Sequence, residues 1–140
     1  GHDLCALALI KAGANIEAQT LEPKGFTALM LAAQNGHDLC ARALIEAGAN
    51  VEHALDDGFN SLLYAAQNGH DLCVRALIEA KANVNHTDEE GWTALMQAAQ
   101  NGHDRCAQAL IEAGVDQELS QRSVRRILRA ARHIPEDQRI

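Results

Sequence analysis

Aromatic residues are scarce in this chain. Phe26, Phe59, Tyr64 and Trp92 are the only four among 140 residues, so alanine and leucine must do most of the packing. No apolar run approaches the ~20 residues that cross a bilayer as a helix, and no signal-peptide pattern is present. No glycine-rich loop leads into a lysine, which excludes a P-loop phosphate site. Cations are sparse over most of the length. Residues 1–119 carry 6 Lys/Arg against 17 Asp/Glu, a charge of −11, whereas residues 120–140 carry 6 Arg against Glu136 and Asp137, a charge of +4. An acidic body disfavours nucleic acid and steers basic partners towards itself. No nucleophile–base pair stands out either. Ser120 and Ser123 read as caps, and the carboxylates Asp88, Glu89 and Glu90 sit together at a turn, without the burial that tunes catalytic groups. The chain is expected not to be an enzyme and to need no cofactor.

What is present is repetition. The phrase Gly-His-Asp-Leu-Cys occurs at residues 1–5, 36–40 and 69–73, and returns as Gly-His-Asp-Arg-Cys at 102–106. The last two steps are 33 residues and the first is 35. A fixed period of this length means stacked units that bury their apolar faces on one another. Three full units run from Gly25, Gly58 and Gly91, preceded by a half unit. The first turn, residues 20–25, is two residues longer than its equivalents, an insertion expected at a loop tip, where it disturbs the stack little. The chain begins inside a unit and is expected to be a piece of a longer array.

Each unit reads as two short helices and a polar connection. Thr27, Asn60 and Thr93 are expected to cap the first helix, which stops at Asn-Gly. The second helix starts at Asp38, Asp71 or Asp104. Asp38, Arg42 and Glu46, spaced by four, form a charged stripe repeated by Asp71, Arg75 and Glu79, while Cys40, Ala43, Leu44 and Ala47 take the other side. Gly48 and Gly114 follow the helix where a left-handed residue is wanted. Lys81 stands there in the middle unit, at a cost of about 1 kcal/mol. Residues 120–134 form a further amphipathic helix, with Val124, Ile127, Leu128, Ala131 and Ile134 on one face and five arginines on the other. It is ended by Pro135 and serves as a polar cap for the array.

Four His-x-x-Cys pairs invite a zinc reading, but stacked helices lie ~8–10 Å apart and zinc needs its four ligands within ~2.3 Å. Metal is therefore not expected; cysteine is a small core residue and histidine anchors a turn. A disulfide between equivalent cysteines fails on distance too. Four free thiols imply a reducing, intracellular compartment, cytoplasmic or nuclear, and the sequon at Asn85 is then coincidental.

The recurring Gly-x-Thr-x-Leu-x-x-Ala-Ala-x-x-Gly-His, followed by a leucine-containing helix and Gly-Ala-Asn-Val, resembles the ankyrin repeat. Asn60 replaces Thr in the middle unit. The family's Pro and His are replaced by apolar or small residues, among them Ser61, so a polar bond made by that histidine is lost. The resemblance implies an all-α solenoid of helix pairs with β-hairpin-like turns over residues 1–119 (a half repeat, 1–24, then 25–57, 58–90 and 91–119), followed by the cap at 120–140. It also implies a protein-interaction scaffold whose concave face and hairpin tips meet a partner. The matching residues are Pro23, Lys24 and Phe26, then Asp56, Asp57 and Phe59, then Glu89, Glu90 and Trp92. The pairs Gln34 and Asn35, Gln67 and Asn68, and Gln100 and Asn101 complete the face. Phe26, Phe59 and Trp92 recur once per unit as anchors, so the expected partner is a basic protein or peptide with apolar side chains. Two alternatives stand beside this reading. One is contact with nucleic acid or an anionic membrane through the Arg-rich helix; the other is substrate recruitment for a larger enzyme. Leu4, Leu39 and Leu72 form an outer strip suited to weak self-association.

Overall fold

The computed structural model describes residues 15–21 and 25–114. The half unit before Asn15, Pro23, Lys24, Leu4 and the whole Arg-rich segment lie outside the described residues. Within them there are six helices and no strand: α1 (Ala28–Asn35), α2 (Asp38–Glu46), α3 (Ser61–Gln67), α4 (Asp71–Glu79), α5 (Ala94–Gln100) and α6 (Asp104–Glu112). First helices stack on first helices, α1 on α3 on α5, and second helices stack on second helices, α2 on α4 on α6. This is the expected solenoid of helix pairs.

The caps explain the boundaries. The side-chain oxygens of Thr27, Asn60 and Thr93 accept from the backbone N–H of Met30, Leu63 and Met96 at 3.3, 3.0 and 3.2 Å. All three capping residues are buried, so losing one would strand a dry N–H group, at about 1 kcal/mol or more. Lys81 adopts φ 67°, the left-handed position that Gly48 and Gly114 fill in the other units.

The turns between helix pairs close as short hairpins. Leu55 N–H donates to Phe59 C=O at 2.8 Å and Asp88 N–H to Trp92 C=O at 3.0 Å. The first hairpin closes from Thr20 to Phe26 at 2.8 Å, a span two residues longer than in the other units. Isolated antiparallel bridges, Ala54 to Asn60 and Thr87 to Thr93, are the only strand-like pairing among the described residues.

The core is a continuous seam of leucine and small apolar groups: Ala33, Ala41, Leu62, Leu63, Ala65, Cys73, Val74, Leu77, Ala98, Cys106 and Leu110 are all at or below 1% exposure. Small side chains let the stacked helices approach closely. Cys40, Cys73 and Cys106 are buried free thiols. Burial is the main reason the Cys73 and Cys106 thiols are pushed up from 9.0 to about 11. In both, a neighbouring aspartate adds to the shift: Asp38, and more weakly Asp71, for Cys73, and Asp71 for Cys106.

Histidines do more than anchor turns. His70 Nε2 bonds to Gln34 C=O at 3.1 Å and His103 Nε2 to Gln67 C=O at 3.0 Å. A carbonyl can only accept, so Nε2 carries the proton in each. The ring of His70 lies over Gly36 so closely that a Cβ there would stand 2.6 Å from Nδ1, and Gly36 itself has φ 78°. Glycine in one repeat thus makes room for histidine in the next, which is why Gly-His recurs. His53 to Gly25 C=O (3.0 Å) and His86 to Gly58 C=O (2.7 Å) form a second ladder. Glu17 and Glu52 form a third, accepting from the N–H groups of Asn50 and Asn83 at 2.8 Å. The charged stripes pair across repeats rather than along one helix, Arg42 with Glu79 at 3.1 Å and Arg75 with Glu112 at 3.9 Å. Exposed as they are, each contributes less than about 1 kcal/mol.

Candidate functional site

The hairpin tips place side chains on the inner side of the stack, and two inter-repeat slots lie between successive tips. The first slot is filled. Tyr64 of α3 sits with its ring centroid 5.4 Å from Phe26 and 4.9 Å from Phe59, the latter edge-on. Aromatic pairs in this geometry add about 0.5–1.5 kcal/mol beyond the area they bury. Phe26 is consequently only 7% exposed. The expectation that it stands ready as a partner anchor is corrected: its ring is packed inside the stack. Burial pushes the Tyr64 phenol upward, and the carboxylate of Asp57 adds to the shift.

The second slot is open. Between the second and third hairpins lies a groove of about 400 Å³, lined by Asp57, Phe59, Gln67, Asp88, Glu89, Glu90, Trp92, Gln97 and Gln100. Four carboxylates face this groove, and among the described residues that line it none is Lys, Arg or His. Two of the carboxylates hold the backbone that carries the aromatics. Asp57 Oδ1 accepts from Phe59 N–H at 3.0 Å. Asp88 Oδ1 accepts from the N–H groups of Glu90 and Trp92 at 2.9 Å each. Glu89 and Glu90 are exposed at the tip. The two hairpins are tied directly, since Glu89 N–H donates to Asp57 C=O at 2.9 Å. That approach is possible because Gly58, at φ 88°, has no side chain; a Cβ would stand 2.8 Å from Asp88 Cα.

Of the expected contact residues, the structure brings Asp57, Phe59, Gln67, Glu89, Glu90, Trp92 and Gln100 to this one groove. Asp56 is exposed on the second tip but does not line it. The remaining row has local work. Asn35, Asn68 and Asn101 donate through Nδ2 to the carbonyls of Leu31, Tyr64 and Gln97 at 2.9, 3.0 and 2.9 Å, satisfying helix C-termini. Gln34 contributes its carbonyl to His70 and, at 3.3 Å, to Asn68. Sequence reading leaves out Asp88 as a binding residue and Gln97 altogether. Gln97 had a signal. Aligned on the turn glycine, that position is Leu31, Tyr64 and Gln97 in the three units, the one place on the inner helix face where size and polarity change between every pair of repeats.

Among the described residues there is no group of three or more His, Cys, Asp or Glu placed to hold a metal, and no helix is long and apolar enough to cross a membrane. Leu39 and Leu72 lie on the outer surface, 59% and 51% exposed, as expected. In comparison with known proteins, a family model described as ankyrin repeats (3 copies) matches residues 1–88 and 47–122. No curated protein matches the chain.

Proposed function

The chain belongs to the ankyrin-repeat family, whose members are in general protein-interaction modules, and on that premise we propose that it binds a basic segment of a partner protein in the groove between its second and third hairpins. The observation that carries this reading is the lining of that groove: Asp57, Asp88, Glu89 and Glu90 with Phe59 and Trp92, and no cation among the described residues there. Clustered carboxylates draw a basic segment in and fix its register, while a half-buried aromatic at the centre supplies the apolar contact from which most affinity derives. The module recruits and does not catalyse. Its buried free thiols suit a reducing intracellular compartment.

A peptide array tests this. Basic peptides carrying one large apolar residue should be retained by the full chain above acidic or neutral ones, less so as salt rises. Glu89→Lys with Glu90→Lys should abolish retention, and Trp92→Ala should weaken it about tenfold or more. Retention that ignores charge, or survives the double reversal, overturns the reading.

A further inference from the structure

The open groove has a feature that a general acidic surface lacks. Gln97 is 7% exposed, yet its side-chain amide forms no hydrogen bond with any described residue. Among the described residues no fully buried side-chain N or O is left unsatisfied, so the amide is not sealed from solvent, and the opening it has is the groove that Gln97 lines. In the preceding unit the same position holds Tyr64, whose ring plugs the slot between Phe26 and Phe59. The second slot is therefore a place built for a flat side chain, with the chain's own plug replaced by a polar amide and with Glu89 and Glu90 at the rim.

Resting on the reading above, we propose that this slot takes one arginine side chain of the partner, with its guanidinium between Phe59 and Trp92. The chemistry selects arginine over other occupants. An apolar side chain would leave the Gln97 amide unpaired in a dry wall, a loss that a hydrogen-bonding site penalises strongly. A lysine ammonium is compact and strongly hydrated, and gives up more solvation on entering. A guanidinium is planar, more weakly hydrated, stacks on aromatic faces and forks its N–H donors, so one edge reaches the Gln97 amide oxygen while the other meets a rim carboxylate.

Trp92 is the sole tryptophan, so its fluorescence reports the slot directly. The full chain is titrated with basic peptides in three forms: one Arg at the central position, Lys there, or citrulline there. The Arg form should change Trp92 emission and bind about tenfold more tightly than the Lys form and more tightly still than the citrulline form. Gln97→Tyr should abolish the Arg preference while leaving the unfolding temperature at least as high, because it copies the plug of the preceding unit. Equal affinity of the Arg and Lys forms, both lost on charge reversal of Glu89 and Glu90, overturns the arginine slot and leaves the basic-segment reading standing. No binding by any form overturns both. An Arg preference unchanged in Gln97→Tyr places the selectivity elsewhere and overturns the slot. Tighter binding on replacing Arg122, Arg125 and Arg126 by glutamate would hand the slot to the chain's own arginines and overturn its assignment to a partner.

Discussion

The two inter-repeat slots share a hairpin architecture, a buried first-helix cap and a 33-residue spacing, yet one is closed and the other open. In the first, Tyr64 reaches both Phe26 and Phe59. In the second, Gln97 stands at the equivalent position, and the space beside Phe59 and Trp92 remains as a groove of about 400 Å³. One side chain per repeat thus decides whether an aromatic belongs to the core or to a surface. In a repeat array this is a cheap way to place a site. The backbone that holds the slot is common to every unit, so the position can change without disturbing the stack.

The largest expected effect lies at the glycine between the tips. Gly58→Ala would place a Cβ 2.8 Å from Asp88 Cα at φ 88°, whereas Gly91→Ala, at φ 84°, meets nothing within 4 Å. The first should lose about 3 kcal/mol in urea unfolding, combining strain and overpacking, and the second about 1 kcal/mol from the dihedral alone. Equal losses would mean that the close hairpin contact does not hold the groove.

The thiols test whether the cores behind the two slots are alike. Cys73 and Cys106 are both pushed up from 9.0 to about 11. At pH 8 each should react with a thiol reagent about 100-fold more slowly in the folded chain than in urea, since the thiolate is the reactive form. The folded pKa is raised, so this contribution to stability is fully present below pH 9 and is lost as pH rises through about 11. An alkaline titration of the unfolding midpoint should show that fall, and markedly unequal thiol rates would show that the two interiors differ.

Tyr64→Gln converts the first slot towards the second. It should cost about 2 kcal/mol, through lost aromatic contacts and a new void, and should open a second groove beside Phe26. Unchanged unfolding would sink the view that Tyr64 is the plug. The smallest effect is expected at Lys81, whose φ of 67° is strained for a side chain. Lys81→Gly should gain about 0.5 kcal/mol by thermal unfolding, the relief being offset in part by glycine's extra freedom when unfolded. A change in peptide binding by this variant would show that the slot depends on more than the residues at positions 64 and 97.

Much of this was legible in the chain itself. The recurrence of Gly-His at fixed spacing gives the stack. Thr27, Asn60 and Thr93 give the helix starts, since a side-chain oxygen is needed wherever N–H groups are left over. Lys81 stands out because its equivalents are glycine. The hairpin tips and their carboxylates were also readable, and Asp57, Glu89, Glu90, Trp92 and Phe59 do come together. The inter-repeat bonds were not. That Arg42 meets Glu79 rather than Glu46, or that His86 bonds Gly58 C=O, depends on how far one unit is rotated over the next, and no local pattern encodes that rotation.

The sequence alone determined the period, the helix boundaries, the left-handed turn positions and the acidic character of the tips, because each follows from residues within a few positions of one another. Which aromatic is packed inside the stack was decided only by the tertiary structure. Phe26 and Trp92 occupy the same place in their units, but Phe26 is covered by a ring 38 positions further along the chain, while the groove beside Trp92 is lined at that place by the amide of Gln97. Burial is a property of what stacks above a side chain, and that is fixed by the neighbouring repeat rather than by the residue's own.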